Sequence, residues 1–333
     1  DAKKMKTTIG THNGVFHCDE VLACFMLQQL EQYKDAEIIR TRNNEELEKC
    51  DIVVDVGSVF DPTRNRFDHH QREFKETFSS LRPNLGNGFN IRLSSAGLIY
   101  VHFGETVIKN ILQDNDFTSI TSEEIKKLYL KMYKYLIMEV DAIDNGVPIC
   151  EGTPNYYINS NLSARVDRFN PSWNRKLDEQ AQFEKAKSMV GEEFVNNLLH
   201  FASSWLPACK IVETSVDKAA NIHESGEIIE LLEACPWKEH LFELEKSRNL
   251  DGKFKYVIMM NKKTDWRVIC VPVEPQSFTC RKFLPENWRG IRDDQLREVC
   301  GIPDASFCHA VGFIGGATSR EGALKMAVES LKT

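Results

Sequence analysis

A chain of 333 residues with 42% hydrophobic and 27% charged residues, 18 glycines and 11 prolines has a globular composition, not that of collagen, a coiled coil or a disordered chain. Its length makes two domains the expectation, and no apolar run approaches the roughly 20 residues of a membrane span. A net charge of −7 argues against coating long duplex nucleic acid by charge alone, yet admits a small anionic substrate beside a bound cation.

In chain order, "KKMKTTIGTH" reads as a short apolar strand entering a turn. "DEVLACFMLQQLEQY" carries a helical stripe at Val21, Leu22, Phe25, Met26 and Leu30. "AEIIRTR" reads as a second strand and "NNEELEKC" as a short polar helix. "DIVVDVG", branched and apolar between Asp and Gly, has the character of a buried parallel strand, and "NRFDHHQ" ends another. "SSAGLIYVHFGETVIKNIL" reads as a helix with Ser94 and Ser95 as candidate N-caps. A long apolar stripe then opens at Ser122, the expected cap, and stops at Gly146.

"PNYYINSNLSARVDRFNPSWN" lacks periodicity and reads as a loop. Beyond it "FKYVIMMN" and "WRVICVPV" pair as strands across "KKTD", and "GFIGGATSREGALKMAVESL" reads as a Gly-rich loop entering a helix. Strands alternating with helices predict an α/β fold, a doubly wound and mainly parallel sheet over residues 1–195, with a smaller α+β domain over 196–333. Ten cysteines are scattered without a CxxC, the pattern of reduced thiols rather than a disulfide framework. The chain opens on Asp1 and not on methionine, compatible with a removed leader.

The informative pattern is where Asp and His fall. His12, His17 and Asp19 lie in the turn after the first strand, Asp55 ends "IVVDVG", and Asp68, His69 and His70 close "RFDHH". Asp141 and Asp144 lie at the end of the long helix. In a parallel sheet the carboxyl ends of strands converge on one crevice. Imidazoles and carboxylates together are a donor set for divalent ions such as Mn²⁺ or Mg²⁺, and no thiolate set competes. Asp55 is placed to bridge two ions, which would clamp attacking and leaving oxygens in phosphoryl transfer. Adjacent side chains on an extended strand end point to opposite faces. Of His69 and His70, one is therefore expected on metal and the other at phosphate, with Asp68 orienting a partner.

The motifs "FDHHQ", "VVDVG" and "HNGVFHCDE" resemble the DHH phosphoesterase superfamily. With "VDVGSVFDP", "LSSAGLIYVHFG" and "DAIDNG", and on through "LSARVDRFNPSW" to "HAVGFIGG", the chain resembles the melanocyte-proliferating-gene family of eukaryotes over nearly its whole length. The resemblance implies a metal-dependent 3′–5′ exonuclease on RNA, in mitochondrion and nucleus. The first superfamily motif reads His-x-x-x-Asp-x-Asp; here His12 is followed one position late by His17-Cys18-Asp19, so a histidine replaces an aspartate. Asp55 matches the second motif, Asp68, His69 and His70 the third, and Asp144, in "DNG", the fourth, with Asp141 in reserve. On the substrate side the resemblance points to His309, Gly315, Gly316 and Arg320, and Arg165, Arg168, Ser94 and Ser95 are further candidates for holding phosphate.

The resulting expectation is a phosphodiesterase using two divalent ions, Mn²⁺ or Mg²⁺, and a metal-bound hydroxide, with catalytic Asp68, His69 and His70. It would act on the 3′ end of single-stranded RNA or on short oligonucleotides, away from membranes, with no oligomeric state specified. Two other functions fit the same residues: a hydrolase of dinucleotides or pyrophosphate, and a non-catalytic RNA- or metal-binding module whose drifted first motif has lost turnover.

Overall fold

The computed structural model describes residues 5–85 and 88–333. Lys3 and Lys4, the opening of the expected first strand, lie outside them. The chain divides into two compact units, residues 1–201 and 202–333.

Unit 1 opens with β1 (Thr8–Thr11), α1 (Cys18–Leu27), β2 (Glu37–Arg40), α2 (Asn44–Glu48) and β3 (Ile52–Val54). The short strands β4 (Phe60–Asp61) and β5 (Arg66–Phe67) follow, then α3 (Phe78–Leu81) and α4 (Ser95–Asp114). α5 (Ser122–Met132) passes through a π-helical turn (Tyr133–Ile137) into α6 (Met138–Asp144); α7 (Leu162–Asp167) and α8 (Glu179–His200) complete the unit. Its sheet has the order β2-β1-β3-β5-β4, parallel throughout except for the edge strand β4.

The branched residues Ile52, Val53 and Val54 are buried on both faces of the sheet, as a parallel strand requires. Strand order reverses between β1 and β3, the switch point at which such sheets open a crevice at their carboxyl ends. α1 is buried nearly all round, packing on α4 and α8. The α8 crossing depends on Gly191, where a Cβ would stand 2.4 Å from the Phe25 ring. α5 is capped by Thr121, whose hydroxyl accepts from the Glu124 amide, so the cap lies one residue ahead of the expected Ser122. The segment expected to be a loop holds α7, capped by Asn161.

Unit 2 contains α9 (Leu206–Asp217), α10 (Ala219–Ile222), β6 (Ile228–Leu231), α11 (Lys238–Ser247), β7 (Tyr256–Lys262) and β8 (Asp265–Cys270). It ends with α12 (Asp293–Cys300), β9 (Ala305–Cys308), β10 (Ile314–Ala317) and α13 (Arg320–Leu331). The sheet order is β6-β7-β8-β10-β9, with β6 and β7 parallel and the other pairs antiparallel, an α+β arrangement. β7 and β8 pair through the expected turn. The expected Gly-rich loop is instead strand β10: Gly315 and Gly316 sit in the ladder, and a Cβ on Gly316 would meet the Phe307 ring at 2.7 Å. All ten cysteines are free thiols. Among the described residues no helix is long and apolar enough to cross a membrane.

Candidate metal centre

His12 follows β1 and Asp55 follows β3, so the switch point places them side by side. His12 Nδ1 bonds the Asn13 carbonyl at 3.0 Å. Its Nε2 then faces Glu20 Oε1 at 3.1 Å and Asp55 Oδ2 at 3.4 Å. A backbone carbonyl on one ring nitrogen fixes the tautomer and leaves the other as a ligand. Burial alone would lower the His12 pKa, but the Asp55 and Glu20 carboxylates outweigh it and push it up to about 10.

On the other side of Asp55 stands His69. Its Nε2 lies 3.1 Å from Asp19 Oδ2, 3.3 Å from Asp55 Oδ1 and 3.0 Å from Asp144 Oδ2. Burial again opposes protonation, and Asp144, Asp19 and Asp55 together override it, raising the pKa to about 12. One imidazole N–H can satisfy only one of three carboxylate oxygens. Burial, with the Asp55 charge, raises the pKa of Asp19; burial, with Asp19, raises that of Asp144.

Asp68 does not join these donors. Its Oδ2 accepts from the Ser58 amide at 2.7 Å, and its Oδ1 from the His69 amide at 2.9 Å and from His70 Nδ1 at 2.6 Å. It therefore shapes the strand end and orients His70, whose ring is more than half exposed. That bond raises the His70 pKa. The two rings are 4.4 Å apart and both border Asp55, so they are neighbours over one carboxylate rather than on opposite faces.

Three groups of side chains can each hold an ion: His12, His17 and Glu20; Asp55, His69 and His70; and Asp19, His69 and Asp144. Within them Glu20 Oε2, Asp55 Oδ1 and His69 Nδ1 are buried without a hydrogen-bond partner. Orphaned buried carboxylate oxygens are costly unless a cation joins them. The residues present thus fit divalent ions.

Glu20 is the ligand candidate that sequence reasoning missed. It stands three residues beyond His17 and accepts from the His17 amide at 2.9 Å, the position of a helix-capping glutamate, which hides its second role.

Asp141 lies outside the cluster. Fully buried, it accepts from the Ser94 amide (2.9 Å), the Ser94 hydroxyl (2.6 Å) and the Tyr133 hydroxyl (2.7 Å). Burial lifts its pKa to about 7 against the pull of those donors. Removing this acceptor leaves three buried donors unpaired. Asp141→Ala is therefore expected to cost about 2–4 kcal/mol in urea unfolding, while the number of ions bound per chain stays as in wild type.

The cleft over the cluster has a volume of about 1040 Å³. Its lining includes His12, His17, Asp19, Asp55, Asp68, His69, His70 and Asp144, and adds Arg42, Arg92 and Asn159. Ser94 and Ser95 are buried; the Ser94 hydroxyl is engaged in structural bonds, whereas the Ser95 hydroxyl has no hydrogen-bond partner among the described residues. Ser94 caps α4 through the Gly97 amide, and the Ser95 amide donates to Asp19. Arg165 and Arg168 are absent from the lining; Arg165 pairs with Glu193 at 3.6 Å and Arg168 donates to the Asn159 carbonyl at 3.1 Å.

In unit 2, Arg320 is held in a two-point pair with Glu230, both contacts 2.8 Å, and Gly315 and Gly316 are committed to sheet packing. His309 is exposed in the β9–β10 turn, its Nδ1 accepting from the Val311 amide at 3.1 Å.

A mainly parallel sheet with Asp-His-His at one strand end and further carboxylates across its switch point defines an α/β protein with a candidate metal centre in its crevice. The chain belongs to the MYG1 family, whose model, described as "Uncharacterised protein family (UPF0160)", matches residues 8–331. It is 50% identical over 326 residues to the MYG1 exonuclease of Homo sapiens, covering 97% of this chain and 85% of that protein. It is 45% identical to a MYG1 protein of Caenorhabditis elegans, with coverage of 98% and 96%. Identity to a MYG1 protein of Saccharomyces cerevisiae is 39%, with coverage of 98% and 96%.

Proposed function

We propose that this chain is a metal-dependent exonuclease that shortens single-stranded RNA from its 3′ end. The observation that carries the reading is the set of buried imidazole and carboxylate atoms without hydrogen-bond partners, gathered at one sheet switch point. The human and bovine relatives bear the name exonuclease, and the motif resemblance supplies RNA and the 3′ polarity.

His12, His17, Asp19, Glu20, Asp55, His69 and Asp144 would hold two divalent ions, Mn²⁺ or Mg²⁺, and His70, a further donor beside Asp55, is assigned to the phosphate instead. Such ions supply Lewis acidity toward both phosphate and water. The chain's own contribution is order and proton supply. His70 donates its Nδ1–H to Asp68, a carboxylate partner that favours the protonated imidazolium, and in that form the ring carries a second N–H, on Nε2, at its exposed side. There it donates to the charge that develops on phosphate or on the departing oxygen. His12, anchored through Nδ1, presents Nε2 in a fixed direction.

With Mn²⁺, RNA labelled at the 5′ end should give a ladder of products shortened from the 3′ end, and EDTA should abolish it. Bound but uncleaved RNA in both Mn²⁺ and Mg²⁺ would sink this reading. A second reading, hydrolysis of dinucleotides or similar small phosphoesters, is favoured by the acid-rich cleft, whose size suits a drug-sized ligand. Faster turnover of a dinucleotide than of a roughly 20-nucleotide strand would select it; cleft size alone does not decide chain length.

A further inference from the structure

Two guanidinium groups line the acidic cleft: Arg42, just after β2, and Arg92, just before α4. Each leans on a different half of the donor cluster. Arg42 Nη2 lies 3.4 Å from His12 Nδ1 and donates to the Asn13 carbonyl at 3.2 Å. Arg92 Nη2 donates to the carbonyls of His69 and Gln71, and its guanidinium lies 5.6 Å from the centre of the Phe74 ring.

Among the described residues neither arginine pairs with a carboxylate, although Asp19, Asp55, Asp68, Asp144 and Asp167 share the lining. Within the same unit Arg40, Arg64, Arg82 and Arg165 each pair with a glutamate, and Arg66 and Arg168, outside the cleft lining, donate to backbone carbonyls, so Arg42 and Arg92 are set apart by facing the cleft. Arg92 keeps a buried Nε without a partner. A guanidinium is a flat fork suited to phosphate oxygens, and one held by backbone carbonyls loses little freedom when an anion arrives.

We propose that Arg42 and Arg92 form a two-point clamp for neighbouring phosphates of the substrate strand, one beside each half of the ion-binding cluster. The proposal rests on the nuclease reading in taking the anion to be a phosphodiester. Arg92 fixes the phosphate near His69 and His70, and Arg42 the one near His12. Both residues contact substrate; neither moves a proton.

The test measures binding of a fluorescein-labelled ten-nucleotide single-stranded RNA to the full chain in Ca²⁺, by anisotropy across a salt series, with intact RNA verified on gels. Arg42→Gln and Arg92→Gln are each expected to weaken binding about tenfold. Each should also flatten the dependence of log K on log salt by roughly 0.7, the slope of one lost phosphate contact on a single strand. Arg92→Lys should keep the slope and lose part of the affinity, because the charge stays and the fork is lost. Arg64→Gln, an exposed surface position, should match wild type.

Unchanged affinity and slope in both glutamine variants overturns the clamp. Weakening with an unaltered slope also overturns it, since that marks a brace for the 69–71 backbone. If Arg92→Gln lowers the melting temperature, the exposed Arg42 and the Arg92→Lys variant carry the test. Arginine-dependent binding without cleavage in Mn²⁺ keeps the clamp and sinks the nuclease reading; cleavage with wild-type binding by the variants does the reverse. A wild-type chain that binds neither RNA nor inorganic phosphate overturns the clamp outright.

Discussion

Asp55→Asn is expected to cut turnover on single-stranded RNA by about 10³-fold or more, with a melting temperature at or above that of wild type. The size of the effect follows from position. Asp55 presents one oxygen to His12 and the other to His69, so its charge serves both halves of the cluster. Asparagine keeps the shape and removes that charge. The fold should tolerate the exchange for a backbone reason: Asp55 has φ 59°, a left-handed conformation in which asparagine and aspartate are the most readily accepted residues after glycine. Alanine there would add about 1 kcal/mol of backbone cost and blur the result, which makes asparagine the cleaner substitution. Steady-state kinetics with Mn²⁺ alongside thermal unfolding checks it, and activity within tenfold of wild type would remove Asp55 from the bridging role.

The second large effect is a proton release. In the ion-free chain the pKa values of His12 and His69 stand at about 10 and about 12, above the ordinary value of 6.5. The sign follows directly. A raised folded-state pKa gives the ion-free fold stability that is complete below pH ~6.5, declines as pH rises above it and is gone once pH has climbed through about 10 for His12 and about 12 for His69. At pH 7–8 both rings therefore carry an extra proton, and an ion must displace it, because only a neutral imidazole nitrogen ligates. Each displaced proton should tighten ion binding about tenfold per pH unit, so an ion that displaces one proton gains roughly 100-fold between pH 6.5 and 8.5. Calorimetry of Mn²⁺ binding in two buffers of different ionisation enthalpy counts the protons. Binding that releases none, with an affinity flat across this range, would mean the imidazoles are not ligands.

Much of this centre was legible because its residues sit where chain direction and strand ends coincide. His12, Asp55 and His69 each follow a parallel strand by one or two residues, so a pattern of strands sufficed to bring them together. Residues with double duties were harder to read. Glu20 has the spacing of a capping residue, and nothing local marks its approach to His12.

Asp141 and Asp144 are three residues apart on one helix, and only packing sends the first to Ser94 and Tyr133 and the second to His69. Gly315 and Gly316 carried the composition of a loop; the Phe307 ring and the neighbouring strands that demand their smallness come from distant sequence. Arg42 and Arg92 had no motif at all, and their standing depends on the cleft they line, which only the folded unit assembles.

The π-helical turn at Tyr133–Ile137 gives α6 a register that a plain helix would not have. Each residue added to or taken from a helix rotates its downstream part by about 100°. A chain shortened by one residue in this turn would swing α6 so that Asp144 leaves the cleft and Asp141 leaves Ser94, with every chemical group still present in the sequence. The phase of one helical turn thus matters to the site as much as any ligand, and length variation in Tyr133–Ile137 should be tolerated far less than substitution.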